Sequence, residues 1–304
     1  MGTPEAAVPT LRRVVEAGHE VVAVWTQPDK PAGRGNKLTE PPVKLAATLL
    51  GLKVHQPSKI KTSEAKSLFA SHQADLAIVV AYGRILPPEF LQAPGRGCIN
   101  VHFSLLPYYR GAAPVNWAIV NGERQTGVTT MLIEEELDSG PILLQKGTQI
   151  GEKETAPHLM LRLAEMGAEL LGETLEQFDE LTPQRQRDED ASFAPVLKRS
   201  DGLIDWTTNA ATIERMIRGF QPWPNAYTNH SGGRLIIWQA EARQSTDEMA
   251  SSGEVLEANG DELIVKCGEE TELQLLEIQP EAKRRMSVRD YLNGAHLAAG
   301  AKFQ

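Results

Sequence analysis

Residues 75–102 have the sequence DLAIVVAYGRILPPEFLQAPGRGCINVH, in which two short apolar runs flank a segment long enough for a helix. The runs Asp75 to Val80 and Gly97 to His102 are nearly continuous and rich in β-branched residues, as buried parallel strands are. Two runs of the same kind precede them, at Glu20 to Thr26 and Leu52 to His55. This alternation predicts an α/β domain in which helices cover a Rossmann-like, mostly parallel sheet.

The chain continues with a predicted strand pair, Thr126 to Ile133 and Pro141 to Ile150, around the turn at Asp138-Ser139-Gly140. A long helical pattern from Thr155 to Phe178 follows it. We therefore expect the first domain to cover residues 1–180.

Residues 181–202 are charged, lack periodicity and contain two prolines, as a linker does. Beyond them the sequence pattern changes to short runs of alternating apolar and polar residues, separated by Gly, Asn and Asp. These runs are Arg234 to Glu241, Gly253 to Glu257, Glu262 to Lys266 and Glu272 to Ile278. The pattern predicts a small antiparallel β-barrel, OB-like, in a second domain of residues 203–304.

Composition excludes several classes of protein. The formal net charge of −9 argues against coating nucleic acid by bulk electrostatics, although it leaves room for a local basic loop. Two lone cysteines and seven scattered histidines form no metal-ligand pattern, so we expect no metal. No apolar run approaches the roughly 20 residues that span a bilayer. With neither a basic leader nor an apolar signal core at its start, the sequence favours the cytoplasm.

The stretch from Cys98 to Pro114, CINVHFSLLPYYRGAAP, is the most informative for chemistry. Asn100 and His102 alternate onto one face at the carboxyl end of a strand, the edge where open α/β sheets bind ligands. They could be hydrogen-bonded core residues. Burying two polar side chains on one apolar strand costs free energy, however, and a functional role would explain why both are present. The pattern therefore favours a functional pair.

Two other features are ambiguous from the residues alone. Asp138 lies in a tight turn, where aspartate is common for local reasons. The segment from Thr26 to Lys44, TQPDKPAGRGNKLTEPPVK, is predicted to be a long loop that carries Lys30, Arg34, Lys37 and Lys44. Its cations suit phosphate groups, but a solvated loop would have the same composition. Its G-R-G lacks the spacing of a P-loop.

Taken together, several motifs resemble those of the methionyl-tRNA formyltransferases, a family of folate-dependent formyl-transferring enzymes. The motifs are GTPEAAVPTL, TQPDKPAGRG, VVAYGRILP, CINVHFSLLPYYRGAAP, the ELDSG turn, IDW and FQPWPNAYT. They cover almost the whole chain in the order of the family. The resemblance implies formyl transfer from 10-formyltetrahydrofolate to the α-amino group of methionyl initiator tRNA, for translation initiation, by a monomeric enzyme.

The resemblance also implies roles for individual residues. Asn100, His102 and Asp138 match the catalytic positions of the family. The carrier would be lined by Ser104, Leu105, Leu106 and Pro107, with Arg84, Ile85 and Leu86 near the pterin. Lys30, Arg34 and Lys37 would meet the tRNA acceptor stem, and the C-terminal domain would hold the tRNA body.

Alternatives within the same chemistry are formylation of glycinamide ribonucleotide or of an amino sugar nucleotide, and hydrolysis of formyl-folate. Asn116-Trp117 is similar to the branch of the family that formylates an amino sugar. The basic loop and the second domain argue against these alternatives. A tRNA-binding homologue that has lost catalysis is the alternative of another class, and the joint presence of Asn100, His102 and Asp138 argues against it.

The family has a strand before the position of Gly2. Thr3-Pro4-Glu5 has the pattern of a helix start, with a hydroxyl as N-cap and proline in the first turn. Because a strand at Glu20 follows that helix, the sequence opens in the middle of a β-α-β unit. We expect a native start some residues upstream of Met1 that supplies the first strand.

Overall fold

The structure, a computed structural model, describes residues 1–32, 37–230, 233–245, 249–295 and 297–304. They form two compact units. The first comprises residues 1–114, 125–149 and 160–194, and the second comprises residues 115–124, 150–159 and 195–304. Within the described ranges, no helix is both long and apolar enough to cross a membrane. The boundaries at 180 and 202 stay predictions.

The first part of the chain alternates short strands with helices, as its apolar runs predict. Its helices are α1 (Val8–Glu16), α2 (Pro42–Leu49), α3 (Ser63–Ala70), α4 (Pro88–Gln92), α5 (Pro114–Val120) and α6 (Ala156–Glu176). Its strands are β1 (Val24–Trp25), β2 (Lys30–Ala32), β3 (Lys37–Thr39), β4 (Val54–His55), β5 (Ala77–Val79), β6 (Cys98–His102), β7 (Arg110–Gly111), β8 (Gln125–Leu132), β9 (Ile142–Gln149) and β10 (Phe193–Ala194).

The strands pair in parallel where helices connect them and antiparallel after β6. Strands β1 and β4 form a parallel two-stranded sheet, and β5 and β6 are the parallel pair of a separate sheet in the order β5-β6-β8-β9. Strand β8 then pairs with β6 antiparallel, and β9 pairs with β8 in the hairpin predicted from the sequence. The α/β class is therefore confirmed, and β6 lies between a parallel and an antiparallel neighbour.

Met1 and Gly2 lie between the β1 and β5 segments. The Gly2 N–H donates to the Trp25 carbonyl oxygen at 3.0 Å, and the Val80 N–H donates to the Met1 carbonyl oxygen at 2.9 Å. A cavity of about 420 Å³ lies beside them, lined by residues of both segments, among them Val24 and Ile78.

The expected capping of the first helix by Thr3 is wrong. The Thr3 hydroxyl donates to the Tyr82 carbonyl oxygen at 3.0 Å instead. The helical segment begins with a 3₁₀ turn, Glu5–Ala7, whose N-cap Pro4 has no side chain that can accept a hydrogen bond. The hydroxyl therefore ties the chain start to the segment after β5.

Aromatic rings fill the core below β1. Phe69 on α3 and Phe90 on α4 stack at a centroid distance of 4.2 Å, and each forms a T-shaped pair with Trp25. Such pairs stabilise a core by about 0.5 to 1.5 kcal/mol each beyond the area that they bury. They fix α3 and α4 against the strands whose carboxyl ends carry the site.

The second unit has an antiparallel sheet in the strand order β11-β12-β15-β14-β13, with β16 paired to β15. Its elements are α7 (Ala210–Gly219), β11 (Ala226–His230), β12 (Gly233–Gln244), β13 (Val255–Asn259), β14 (Glu262–Lys266), β15 (Thr271–Pro280), β16 (Met286–Ser287) and α8 (Val288–Leu292). The Asn209 side chain caps α7 by accepting from the Thr212 N–H at 2.9 Å.

The antiparallel β domain is confirmed, but in the described part of the chain no strand ladder closes it into a barrel. The last residues lie across the gap between the two edge strands. The Phe303 N–H donates to the Gly253 carbonyl oxygen at 2.8 Å, and Gln304 exchanges two backbone hydrogen bonds with Asn229. Because this tail takes up the edges, β11 and β13 do not pair with each other.

Candidate active site

Strand β6 presents two polar side chains at its carboxyl end. Asn100 lies opposite Met131 and His102 lies opposite Thr129 on β8. Since side chains two residues apart on a strand share a face, Asn100 and His102 point the same way. His102 is buried, with only 5% of its surface exposed. The strand thus supplies an amide and an imidazole from one rigid element.

The turn between β8 and β9 brings a carboxylate to this pair. Asp138 has a φ of 52°, the left-handed region that Asp and Asn tolerate better than most residues. Its Oδ1 lies 3.5 Å from Asn100 Nδ2, and its Oδ2 lies 3.7 Å from His102 Nδ1. The three residues proposed as catalytic therefore meet in the structure.

Two backbone groups of the loop after β6 fix the geometry. The Gly111 N–H donates to Asp138 Oδ2 at 2.9 Å, and His102 Nε2 lies 3.0 Å from the Tyr109 carbonyl oxygen. Because a carbonyl oxygen only accepts, Nε2 carries the hydrogen of that bond. The neutral ring then has its lone pair on Nδ1, facing Asp138, and this nitrogen can accept a proton.

The Ser-Leu-Leu-Pro loop is held from beneath by polar groups. Ser104 is buried and its hydroxyl donates to the Tyr108 carbonyl oxygen at 2.6 Å. The Leu106 N–H donates to Thr129 Oγ1 at 3.2 Å, and Gln145 Nε2 donates to the Leu106 carbonyl oxygen at 2.8 Å. Leu106 is also buried, whereas Leu105 and Pro107 are half-buried. Only the latter two side chains of the predicted four retain surface for a ligand.

The segment after β5 holds the other residues proposed to line the carrier. Arg84 Nη1 donates to the Pro57 carbonyl oxygen at 3.0 Å. Ile85 is 70% exposed, and Leu86 is buried in the aromatic core with Phe90. Because β5 and β6 are parallel, this segment and the Ser-Leu-Leu-Pro loop leave the sheet at the same edge.

The basic segment is not the continuous loop predicted from the sequence. Strands β2 and β3 pair antiparallel within it, from Lys30 opposite Thr39 to Ala32 opposite Lys37. Lys30 is exposed and its ammonium lies 2.5 Å from Gln27 Oε1. Arg34 lies outside the described residues. Both strands are only three residues long and β2 contains Pro31, so they give no alternation signal, which is why the sequence predicts a loop here.

Sequence reasoning missed two residues beside Asp138. Arg110 is only 6% exposed, and its Nε donates to Gln186 Oε1 at 2.9 Å. Gln186 in turn donates to the turn that carries Asp138. Gln186 falls in the segment predicted as a linker, where a charged, aperiodic sequence gives no signal of such contacts.

The buried Cys98 thiol has no such role in the geometry. Burial raises the pKa of the Cys98 thiol to about 11, so the thiol stays protonated, and its sulfur lies 3.5 Å from the Phe90 carbonyl oxygen. In the ranges that the structure describes, no cluster of three or more His, Cys, Asp or Glu side chains could hold a metal ion.

Comparison with known proteins identifies the family of both domains. Residues 1–175 match the formyl transferase family, and residues 196–296 match the formyl transferase C-terminal domain. Among solved structures, the sugar 3N-formyl transferase WlaRD superposes with a TM-score of 0.66 at 18% identity, over 93% of this chain and 97% of that one. HypX from Aquifex aeolicus superposes with a TM-score of 0.57 at 18% identity, over 81% of this chain and 43% of that one. These likenesses concern the fold.

Similarity to curated proteins is much higher. The methionyl-tRNA formyltransferase of Caldanaerobacter subterraneus subsp. tengcongensis is 48% identical over 99% of this chain and 97% of its own length. That of Geobacter metallireducens is 43% identical over 99% of this chain and 96% of its own. Both similarities span the two units. The chain belongs to the methionyl-tRNA formyltransferase family.

Proposed function

We propose that this enzyme transfers the formyl group of 10-formyltetrahydrofolate to the α-amino group of methionyl initiator tRNA. The observation that carries the proposal is the meeting of Asn100, His102 and Asp138 at the carboxyl end of β6. An amide donor, a ring nitrogen with a free lone pair and a carboxylate are the groups that acyl transfer to an amine requires.

Attack of the amine on the formyl carbon produces a tetrahedral centre with a developing oxyanion. Asn100 Nδ2 has two hydrogens, and Asp138 Oδ1 at 3.5 Å accepts at most one of them. The other is available for the oxyanion. Asn100 is fixed on a strand between two paired neighbours, so the donor is preorganised for charge that exists mainly in the transition state.

The proton that leaves the amine follows a second path. A free α-amino group has a pKa of about 8, so a useful fraction is neutral at working pH. After attack, the nitrogen becomes cationic and its proton passes to His102 Nδ1. Asp138 stabilises the imidazolium across the 3.7 Å that separates Nδ1 and Oδ2. The ring then returns the proton to N10 of the folate as the C–N10 bond breaks.

The carrier would lie along the edge formed by the loops after β5 and β6. Leu105, Pro107 and the exposed Ile85 offer apolar surface there, while Ser104 and Leu106 shape the loop from within. Ligand sites typically combine such apolar walls with a few fixed polar groups. Arg84, held by the Pro57 carbonyl oxygen, would limit the pocket near the pterin.

The tRNA would be met by the hairpin of β2 and β3. Lys30 is an exposed cation on this hairpin, in a chain whose net charge is −9. Lys44, by contrast, forms ion pairs of 2.7 Å with both Asp29 and Glu40 and is committed to them. We propose that Lys30, Arg34 and Lys37 contact acceptor-stem phosphates and that the second unit holds the tRNA body. The enzyme would act as a monomer in the cytoplasm, where charged tRNA is used.

A formylation assay tests the proposal directly. The purified protein is given 10-formyltetrahydrofolate and, separately, methionyl initiator tRNA, methionyl elongator tRNA, free methionine and an amino sugar nucleotide. The expected result is rapid formylation of the initiator tRNA and little of the other acceptors. Formylation of the amino sugar nucleotide without formylation of either tRNA would show that the acceptor is an amino sugar. If no acceptor is formylated, the proposed formyl transfer is wrong.

A further inference from the structure

The segment that leaves α6 runs back across the active site before it enters the second unit. Gln184 exchanges two 2.8 Å backbone hydrogen bonds with Ile142 at the start of β9. Farther along, Ser192 Oγ accepts from the Tyr109 N–H at 2.9 Å, and β10 pairs with β7. Residues 184–194 therefore join the two loops that carry the polar site, although their sequence resembles a linker.

Gln186 is the one residue of this segment whose side chain reaches both loops. Its Nε2 donates to the carbonyl oxygens of Asp138 and Gly140, at 2.9 and 2.8 Å. Its Oε1 accepts from Arg110 Nε at 2.9 Å. The Arg110 side chain is also held by Asp188 at 2.9 Å. One amide group thus bridges the turn that carries Asp138 and the loop that carries Gly111.

Only an amide side chain meets both requirements at this place. Two carbonyl oxygens need a donor, and the guanidinium needs an acceptor, so neither a carboxylate nor an ammonium can replace Gln. Asp138 needs such fixation because its φ is positive and because its carboxylate must accept from the Gly111 N–H while it faces Asn100 and His102. Left-handed non-glycine residues persist where their surroundings hold them.

We propose that Gln186 is a positioning residue that sets the Asp138 carboxylate against His102 Nδ1 and Asn100 Nδ2. This inference rests on the proposed function. Gln186 does not touch the reacting atoms. It acts by holding the Asp138 turn in register with the Gly111 N–H. Displacement of a reacting group by about 1 Å can reduce turnover about 100-fold.

Gln186→Met tests the inference, since methionine keeps the length of the side chain but neither donates nor accepts strongly. Gln184→Met is the matched control, because Gln184 lies two residues earlier on the same segment and is exposed. We expect Gln186→Met to lower kcat about 10- to 100-fold, with the KM values for folate and tRNA within about twofold. Gln184→Met should keep the kcat of the unaltered enzyme.

A double-variant cycle separates positioning from general damage. If Gln186 acts through Asp138, then Gln186→Met added to Asp138→Asn should cost little more than Asp138→Asn alone. The Gly111 amide proton gives a readout that needs no activity. Its NMR shift should move upfield in Gln186→Met, toward its position in Asp138→Asn, as the bond to Oδ2 weakens.

Each outcome decides something different. An inactive unaltered enzyme would count against the proposed function, whereas the Gly111 shift would still test the position of Asp138. If the kcat losses of the two single variants multiply in the double variant, or if the Gly111 amide resonance does not move in Gln186→Met, then Gln186 does not position Asp138. Should Gln186→Met unfold, Gln186→Glu, which keeps the acceptor for Arg110, takes its place in both measurements with the same expected direction.

Discussion

The backbone N–H of Gly111 donates a 2.9 Å hydrogen bond to Oδ2 of Asp138, so two loops 27 residues apart in the chain meet at one carboxylate oxygen. Gly111 has a φ of 128°, and a Cβ placed on it would overlap the carbonyl oxygen of Ala194 on β10. The absence of a side chain is therefore required both by the backbone conformation and by the neighbouring strand. The hydrogen bond to Asp138 depends on that close approach.

Gly111→Ala should lower kcat by at least about 10-fold, because the loop must move away from β10 and take the donor of Asp138 with it. Backbone strain adds a stability cost of about 1 to 3 kcal/mol. Gly51→Ala is the control. Gly51 also has a positive φ, 70°, but a Cβ there meets open space. Gly51→Ala should therefore lower the melting temperature and leave kcat unchanged. Equal kcat for both variants would contradict the close-approach argument.

Asn100→Ala should lower kcat roughly 100-fold to 1,000-fold and change the KM for either substrate little, since the donor is aimed at charge that develops in the transition state. Steady-state kinetics with methionyl-tRNA measure the split, and a melting curve confirms that the variant folds. A KM effect with normal turnover would assign Asn100 to substrate binding instead.

Asp138→Asn retains the shape of the side chain but removes the charge that stabilises a protonated His102 ring. We expect kcat to fall by about 100-fold to 10,000-fold. Single-turnover measurements should place the loss in the chemical step. If the loss appears in product release instead, then Asp138 does not support the proton path through Nδ1.

How much of this site is predictable depends on the range of the interactions that form it. The pairing of Asn100 and His102 on one face follows from strand alternation, a local property of CINVH. The approach of Asp138 does not, because the left-handed turn and the 38 residues that separate it from Asn100 carry no local signal. Resemblance to a family supplies the residue, and only the structure supplies its distances.

The same distinction holds for the fold. Buried strands such as β5 and β6 are predictable because their apolar runs are continuous. Strand β11 (Ala226–His230) and the hairpin of β2 and β3 are not, since prolines flank or interrupt them and their short sequences show no apolar alternation, although each pairs with a strand close to it in the chain. Residues 184–194 resemble a linker because they combine backbone hydrogen bonds to Ile142 with isolated side-chain contacts, of Ser192 to Tyr109 and of Gln186 to Arg110, that follow no periodic pattern.

Replacing both Lys30 and Arg34 with Ala should raise the KM for tRNA and make its salt dependence shallower. Each lost phosphate contact lowers the slope of log affinity against log salt by about 1. Turnover at saturating tRNA should change little. Lys66→Ala on α3, where the ammonium pairs with Glu89 at 2.6 Å, removes a positive charge away from the hairpin and serves as control. If the slope of log affinity against log salt is unchanged in the double variant, the hairpin is not part of the tRNA site.

Two histidines beside Trp25 are a separate source of pH dependence, in stability rather than in chemistry. The rings of His55 and His72 lie 5.1 Å apart, and Trp25 Nε1 donates to His72 Nε2 at 3.2 Å, a bond that requires the neutral ring. Burial, followed by the charges of His72 and Lys53, lowers the pKa of His55 below its ordinary 6.5. Burial and Lys53 lower the pKa of His72 in the same way.

Because both pKa values are lower in the folded chain than in the unfolded chain, the unfolded state binds more protons below about pH 6.5, and stability falls as the pH falls through that range. Above the unfolded-state pKa the stabilisation is complete. The midpoint of urea unfolding should therefore decrease between pH 7.5 and pH 5. In the double variant that carries both His55→Gln and His72→Gln, this decrease should become shallower. The control variant His19→Gln, at an exposed position, should retain it. A double variant with the full decrease would show that other groups cause the acid sensitivity.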